Sequence, residues 1–175
     1  MNTSLRFEPG APHRRALAFV ARCTGSAMLS SLAAGALGLG HPVWAVVSAL
    51  VVSQDTAVDT RQAFVWRVAA TAIGLLVAVV VGSVIPDPAP NRSLQLAIAV
   101  TVCAVIARRW PGLRVSMWTA PIVLMTTIPE NGVLRAAVER GSEVLLGAMI
   151  ATVLHLALDR ALHIRGATRQ NLPST

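Results

Sequence analysis

The chain contains no lysine and no tyrosine; all fifteen of its basic residues are arginine. Without lysine there is neither a Walker A lysine nor a Schiff-base lysine, and without tyrosine there is no tyrosine general acid. Charge of either sign is scarce. Charged residues are 13% of the 175 residues, where a soluble domain carries roughly 25%. The two cysteines, Cys23 and Cys103, both lie inside apolar runs and read as small core residues rather than a disulfide or metal pair. His13, His41, His155 and His163 have no metal-ligand spacing. No nucleophile is paired with a base, so neither an enzyme nor a cofactor is expected. The net charge of +7 raises nucleic acid as a partner. The arginines are scattered between apolar runs and line no amphipathic face, which argues against it.

Apolar sequence is abundant. Hydrophobic residues make up 54% of the chain, and the mean hydropathy is +0.63. Six apolar runs follow one another, over 16–39, 43–53, 64–85, 94–107, 115–128 and 138–158. Between them lie Gly40-His41-Pro42, a polar stretch over 54–62, the loop PDPAPN, the basic turn RRWPGLR and PENG. A spanning helix needs about 20 mostly apolar residues. The expected fold is all-α: a polytopic bundle of six transmembrane helices over 16–158, with polar tails at 1–15 and 159–175. The start of the chain resembles a secretory leader, but Arg22 inside the run and the length of the run argue against cleavage.

The arginines set the expected orientation. Arg6, Arg14, Arg15, Arg61, Arg67, Arg108, Arg109, Arg114, Arg160, Arg165 and Arg169 fall on one side of a six-crossing scheme. Only Arg92 and Arg135 fall on the other. Both termini are therefore expected in the cytoplasm.

The two halves echo each other. Arg67 and Gly74 recur as Arg140 and Gly147 with the same spacing, and Trp44 recurs as Trp118. Two repeats are expected, at about 16–85 and 93–158. Each has three crossings, so the second sits inverted relative to the first, as in many secondary transporters. The short second run and the fifth run, interrupted by Pro121, occupy matching positions and point to the binding site. In the third run Ala70, Gly74, Ala78 and Gly82 fall four apart on one helix face, where another helix can come close. Gly147 and Ala151 continue the theme in the sixth.

The series Pro42-Val43-Trp44-Ala45, an apolar run ending at Gln54, then Arg67 and Ala70-Thr71-Ala72-Ile73-Gly74 resembles the fusaric acid resistance and aromatic acid exporter families. Arg140 to Gly147, RGSEVLLG, resembles their second Arg-to-Gly signature. The resemblance covers about residues 16 to 160. It implies a carrier of the bacterial inner membrane that exports aromatic or other organic acid anions. The usual Gly-Thr-x-x-Gly form is altered here to Thr71-Ala72-Ile73-Gly74. Many relatives carry a further cytoplasmic domain or membrane block; the short tail here favours a homo-oligomer or a partner membrane subunit.

An ionisable residue inside a membrane is costly and marks a candidate site. Arg67, near the start of the third run, and Arg140, at the matching place in the sixth, can hold a carboxylate in a bidentate fork. Snorkelling to the interface is the structural alternative for each. Glu143 lies three residues from Arg140, within reach of an intrahelical ion pair, and can also carry a proton. Trp44 and Trp118 can stack on an aromatic ring or anchor at the interface. Gln54 and Asp55 are candidates for a cytoplasmic gate, with Asp59 beside them, and Ser53, Thr126 and Thr127 for a polar path. Bonding back to the helix backbone is the alternative for the hydroxyls. The reading that follows is a proton-coupled exporter of organic anions in a lipid bilayer. A passive anion channel and a non-transporting scaffold or accessory subunit are the alternatives.

Overall fold

The computed structural model describes residues 11–54, 56–85, 91–127 and 132–170. It has six α-helices: α1 (Ala11–Ala36), α2 (Val43–Val52), α3 (Ala57–Val84), α4 (Asn91–Arg109), α5 (Ser116–Thr126) and α6 (Gly132–Gln170). A single 3-10 turn, Pro111–Leu113, joins α4 to α5, and there is no strand among the described residues.

Helix ends depart from the ends of the apolar runs, and at α3 and α1 local capping groups set them. Thr56 accepts a hydrogen bond from the Asp59 amide at 3.1 Å and donates one to the Asp59 carboxylate at 2.7 Å. This N-cap starts α3 at Ala57, well before the apolar run begins at Phe64. Arg67 is consequently about 15 Å along the helix, not near its first turn as the run alone suggests. Gly38 takes a left-handed conformation (φ 67°) and lets the Leu39 amide close α1 on the Ala34 carbonyl at 3.0 Å. At the other end of the chain α6 continues to Gln170, so the polar stretch after residue 158 begins as helix rather than as a tail. Pro121 does not break α5; it lies inside the helix and removes the amide that would bond the Met117 carbonyl.

Among the described residues three helices are long and apolar enough to cross a membrane: Leu17–Ala36, Val58–Val84 and Gly132–Arg160. By contrast α2 has 10 residues and α5 has 11. At 1.5 Å per residue each covers about half of the ~30 Å hydrocarbon core. Side chains are arranged inside out relative to a soluble domain. The surface carries Leu17, Met28, Leu32, Val65, Leu76, Val80, Met149 and Val153. The interior holds alanine together with Arg22, Ser26, Ser30, Arg67, Thr71, Arg140, Glu143 and His155. Small and polar residues inside with large apolar ones outside is the packing of a helix bundle in lipid. The protein is a membrane protein by this distribution.

Burial follows a repeated register. In α1 the buried positions are Arg22, Ser26, Ser30 and Ala34; in α4 they are Gln95, Ala99, Cys103 and Ala107, each 73 residues later. The same offset takes Arg67, Ala70, Thr71 and Ala78 of α3 to Arg140, Glu143, Val144 and Ala151 of α6. Packing is exchanged between the halves. The short α2 lies mainly along α6 and the short α5 along α3, while α3 and α6 pack on each other. The outer helices match as well: α1 touches α2 and α6, and α4 touches α5 and α3.

Candidate functional site

The two short helices are held by glycines. Gly147 of α6 lies directly against the backbone of Ala45 in α2, where any side chain would collide with the Ala45 carbonyl. At the matching place Gly74 of α3 lies under Thr119 of α5, where a Cβ would come within 2.7 Å of the Thr119 Cβ. At Gly82 an added Cβ would have more room, coming within 3.1 Å of Val133 and 3.2 Å of Leu124. Ala70 and Ala78 are fully buried on the same face of α3, and Ala151 packs with Ala49, Val52 and Ala148.

This close approach brings the first turns of α2 and α5 over Arg67 and Arg140. The four elements line a partly open cavity of about 110 Å³. Trp44 and Trp118 form walls from α2 and α5, Arg67 and Arg140 from α3 and α6, and Val47, Val51, Thr119, Ile122 and Val144 complete it. Both arginines are buried. The Arg140 guanidinium lies over the Trp44 ring, 3.9 Å from its centroid, a cation–π contact. Its Nη1 is 3.5 Å from Glu143 Oε2, and its Nε is buried with no hydrogen-bond partner among the described residues. Arg67 donates from Nε to Ser48 Oγ at 3.3 Å. Ser48 in turn donates to the Val144 carbonyl at 2.7 Å. No carboxylate lies within ion-pair distance of Arg67 among the described residues, and its charge is within electrostatic reach of Arg140.

Glu143 is 1% exposed and lies behind Arg140 rather than on the cavity wall. Its Oε1 accepts a hydrogen bond from the His41 backbone amide at 2.7 Å, with His41 Nδ1 at 3.9 Å. With Glu143 ionised, the buried set of Arg67, Arg140 and Glu143 carries one excess positive charge.

The remaining candidates lie elsewhere. Gln54 is at the far end of α2, where its amide meets Thr60 Oγ1 at 3.3 Å and its carbonyl accepts from Arg22 at 3.4 Å. Asp55 lies outside the described residues. Asp59 is engaged in the cap of α3. Thr126 and Thr127 bond back to the carbonyls of Ile122 and Val123 at 2.8 and 2.7 Å, and Ser53 to that of Ala49 at 2.9 Å. None of the described ones, Gln54, Asp59, Thr126, Thr127 and Ser53, lines the cavity. Ser48 is the residue that sequence reasoning missed. Its signal was a lone hydroxyl in the middle of the apolar stretch VWAVVSALVV.

At the same end as Gln54, His155 is 2% exposed, with Nδ1 3.1 Å from Thr60 Oγ1 and Nε2 3.4 Å from the Asp159 carboxylate. Its counterpart in the other half is Gly82, packed on Val133 and Leu124, so the two halves differ here.

No curated protein and no solved structure matches the chain. A family model does: the one described as fusaric acid resistance protein-like covers residues 27–154. That span runs from the middle of α1 to near the end of the apolar part of α6 and includes every residue of the cavity. With most of the chain matched and the helices of a membrane bundle in place, the chain belongs to the fusaric acid resistance protein-like family of membrane proteins.

Proposed function

We propose that the chain is an integral membrane transporter that exports aromatic or other organic acid anions, with proton coupling through Glu143. One observation carries this reading: two buried guanidinium groups and two indole rings face one cavity, and among the described residues one carboxylate, that of Glu143, is within ion-pair distance of either guanidinium. Leaving a buried charge without its partner costs about 3–5 kcal/mol. A carboxylate entering beside Arg67 relieves that cost, and Trp44 and Trp118 offer flat apolar faces to the ring that carries it.

The cavity of about 110 Å³ is smaller than the ~150 Å³ engineered cavity that takes up benzene. An aromatic acid is therefore taken up only with movement of the helices that line the cavity. In this reading the chain crosses the membrane six times as two inverted triplets. The offset of 73 in the burial pattern and the exchanged packing of α2 and α5 support it. Half-length helices meeting near the middle of the bilayer are where transporters of this plan bind substrate. The resemblance implies a bacterial inner-membrane location, and the arginine distribution supports both termini on the cytoplasmic side. The outward apolar residues of α4, Leu94, Ile98 and Val102, suit lipid, a second copy or a partner subunit.

The test is growth and export. Deleting the gene is expected to sensitise cells to weak aromatic acids. Arg67→Gln and Arg140→Gln are expected to fail in complementation, and Arg135→Gln, on an exposed pair with Glu139, to succeed. Full resistance from normally accumulated Arg67→Gln and Arg140→Gln proteins would sink the reading. Single-channel steps in a planar bilayer without a proton gradient would replace the carrier with a passive anion channel.

A further inference from the structure

On the reading of the cavity as an organic-anion site, we infer that its two arginines are unequal: Arg67 receives the anion, while Arg140 is already matched by Glu143 and Trp44. The substrate is then an anion with a single acid group, bound one per chain beside Arg67.

The repeat shows what Arg67 lacks. The offset of 73 that relates Arg67 to Arg140 takes Ala70 to Glu143 and Thr71 to Val144, and all of these residues are buried. Residues three and four apart share a helix face. On α6 the position three after Arg140 carries a carboxylate, whose Oε2 is 3.5 Å from Arg140 Nη1. Its Oε1 accepts from the His41 backbone amide at 2.7 Å. The Trp44 ring covers the guanidinium face, with its centroid at 3.9 Å. On α3 the same position is Ala70, which has no charge to give. Among the described residues no carboxylate is within ion-pair distance of Arg67 and no ring lies over it.

The hydrogen bond that Arg67 makes among the described residues runs from Nε to Ser48 Oγ at 3.3 Å. A guanidinium also carries N–H groups on its two terminal nitrogens, and on this cavity wall they remain for a ligand. One turn on, Thr71 has a buried hydroxyl without a hydrogen-bond partner among the described residues. Arg67 and Thr71 thus bring unused donors to one face of α3, and a carboxylate or sulfonate supplies acceptors only. Arg140 also keeps a buried Nε without an acceptor among the described residues. An unmade hydrogen bond costs less than an unmatched buried charge, so an anion is drawn to Arg67. The second half of the chain holds a built-in copy of the occupied state: a guanidinium with a carboxylate at its edge and an indole on its face. In the first half Trp118 is the indole on the cavity wall, and the substrate brings the acid group. With Glu143 ionised, one acid group cancels the excess charge of Arg67, Arg140 and Glu143. A second acid group would be buried without a match.

The experiment uses the full chain in lipid nanodiscs at one fixed pH, with binding followed by calorimetry. The probes are benzenesulfonate, sulfamoylbenzenesulfonate and benzenedisulfonate; the last two are nearly equal in size and differ by one charge. Wild type is expected to bind one benzenesulfonate per chain. It is expected to prefer sulfamoylbenzenesulfonate over the disulfonate by on the order of tenfold or more, the factor for one charged group left unmatched. Ala70→Glu places on α3 the carboxylate that α6 already has, and Ala70→Gln has the same bulk without the charge. Ala70→Glu is expected to bind benzenesulfonate on the order of tenfold more weakly than Ala70→Gln, and Arg67→Gln to lose it. A disulfonate bound as tightly as the singly charged probe overturns the inference, because both arginines then take an anion. Equal affinities of Ala70→Glu and Ala70→Gln overturn it as well. If Ala70→Glu does not fold, the comparison of the two probes on wild type decides alone. If wild type binds none of the three, the organic-anion site itself is wrong and the inference falls with it.

Discussion

Gly147 of α6 and Ala45 of α2 touch backbone to backbone, and the site depends on that contact. The Ala45 carbonyl occupies the space that a side chain at position 147 would need. Trp44, one residue earlier, is thereby held over Arg140, seven residues before Gly147 on α6. A graded response to added methyl groups is expected. Gly147→Ala meets rigid backbone and should destabilise by on the order of 3 kcal/mol or more. Gly74→Ala meets the Thr119 side chain at 2.7 Å and should cost about 1–3 kcal/mol. Gly35→Ala has nothing within 4 Å and should be neutral or stabilise by up to ~1 kcal/mol through helix propensity. Thermal unfolding in a fixed detergent ranks the three, and an equal response would contradict the packing.

The Arg140–Trp44 contact gives a pairwise expectation. A double-mutant cycle with Arg140→Gln and Trp44→Leu should return a coupling energy of about 0.5–2 kcal/mol, the range of a partly to fully desolvated cation–π pair. Trp44→Phe should retain part of it. The same cycle with Trp110 in place of Trp44 should return no coupling, because Trp110 stacks on Arg109 instead.

Ser48 links three helices: it accepts from Arg67 on α3 and donates to the Val144 carbonyl on α6. Ser48→Ala leaves the Arg67 Nε without its acceptor and should cost about 1–3 kcal/mol of stability. Anion affinity should fall several-fold as Arg67 loses its fixed orientation. Arg67→Gln on the Ser48→Ala background should then cost less affinity than it does on wild type, which binding isotherms of the four proteins can measure.

Topology can be mapped with thiols. Replacing Cys23 and Cys103 by alanine leaves a background for single cysteines. Gly40→Cys is expected to react with an impermeant maleimide from outside intact cells, and Arg61→Cys only after permeabilisation. The reverse pattern would invert the orientation, and reaction of both from one side would mean that α2 returns to the face it left.

Much of this architecture was legible from local pattern. The offset of 73 between Arg67–Gly74 and Arg140–Gly147 is a sequence fact, and the buried stripes obey it. Continuous apolar runs located all six helices, because a helix that faces lipid carries apolar residues over most of its surface. Helix ends were less legible. Thr56 begins α3 through a side-chain cap, and α6 runs past its apolar part, where hydropathy carries no signal.

What the chain determined by itself is its class: a Lys-free, arginine-punctuated bundle of membrane helices. The tertiary structure alone decided which of the costly polar groups meet. Arg67 and Arg140 share a cavity because α3 and α6 pack together and α2 and α5 cross over them. Gln54 lies at the other end of α2, although it is nearer to Arg67 in sequence than Trp44 is. Glu143 reaches the His41 amide, 102 residues away, through the same crossing. Helical periodicity reports only which face a residue occupies. Which faces come together is settled by where two backbones can approach, and here the glycines at 74 and 147 set that.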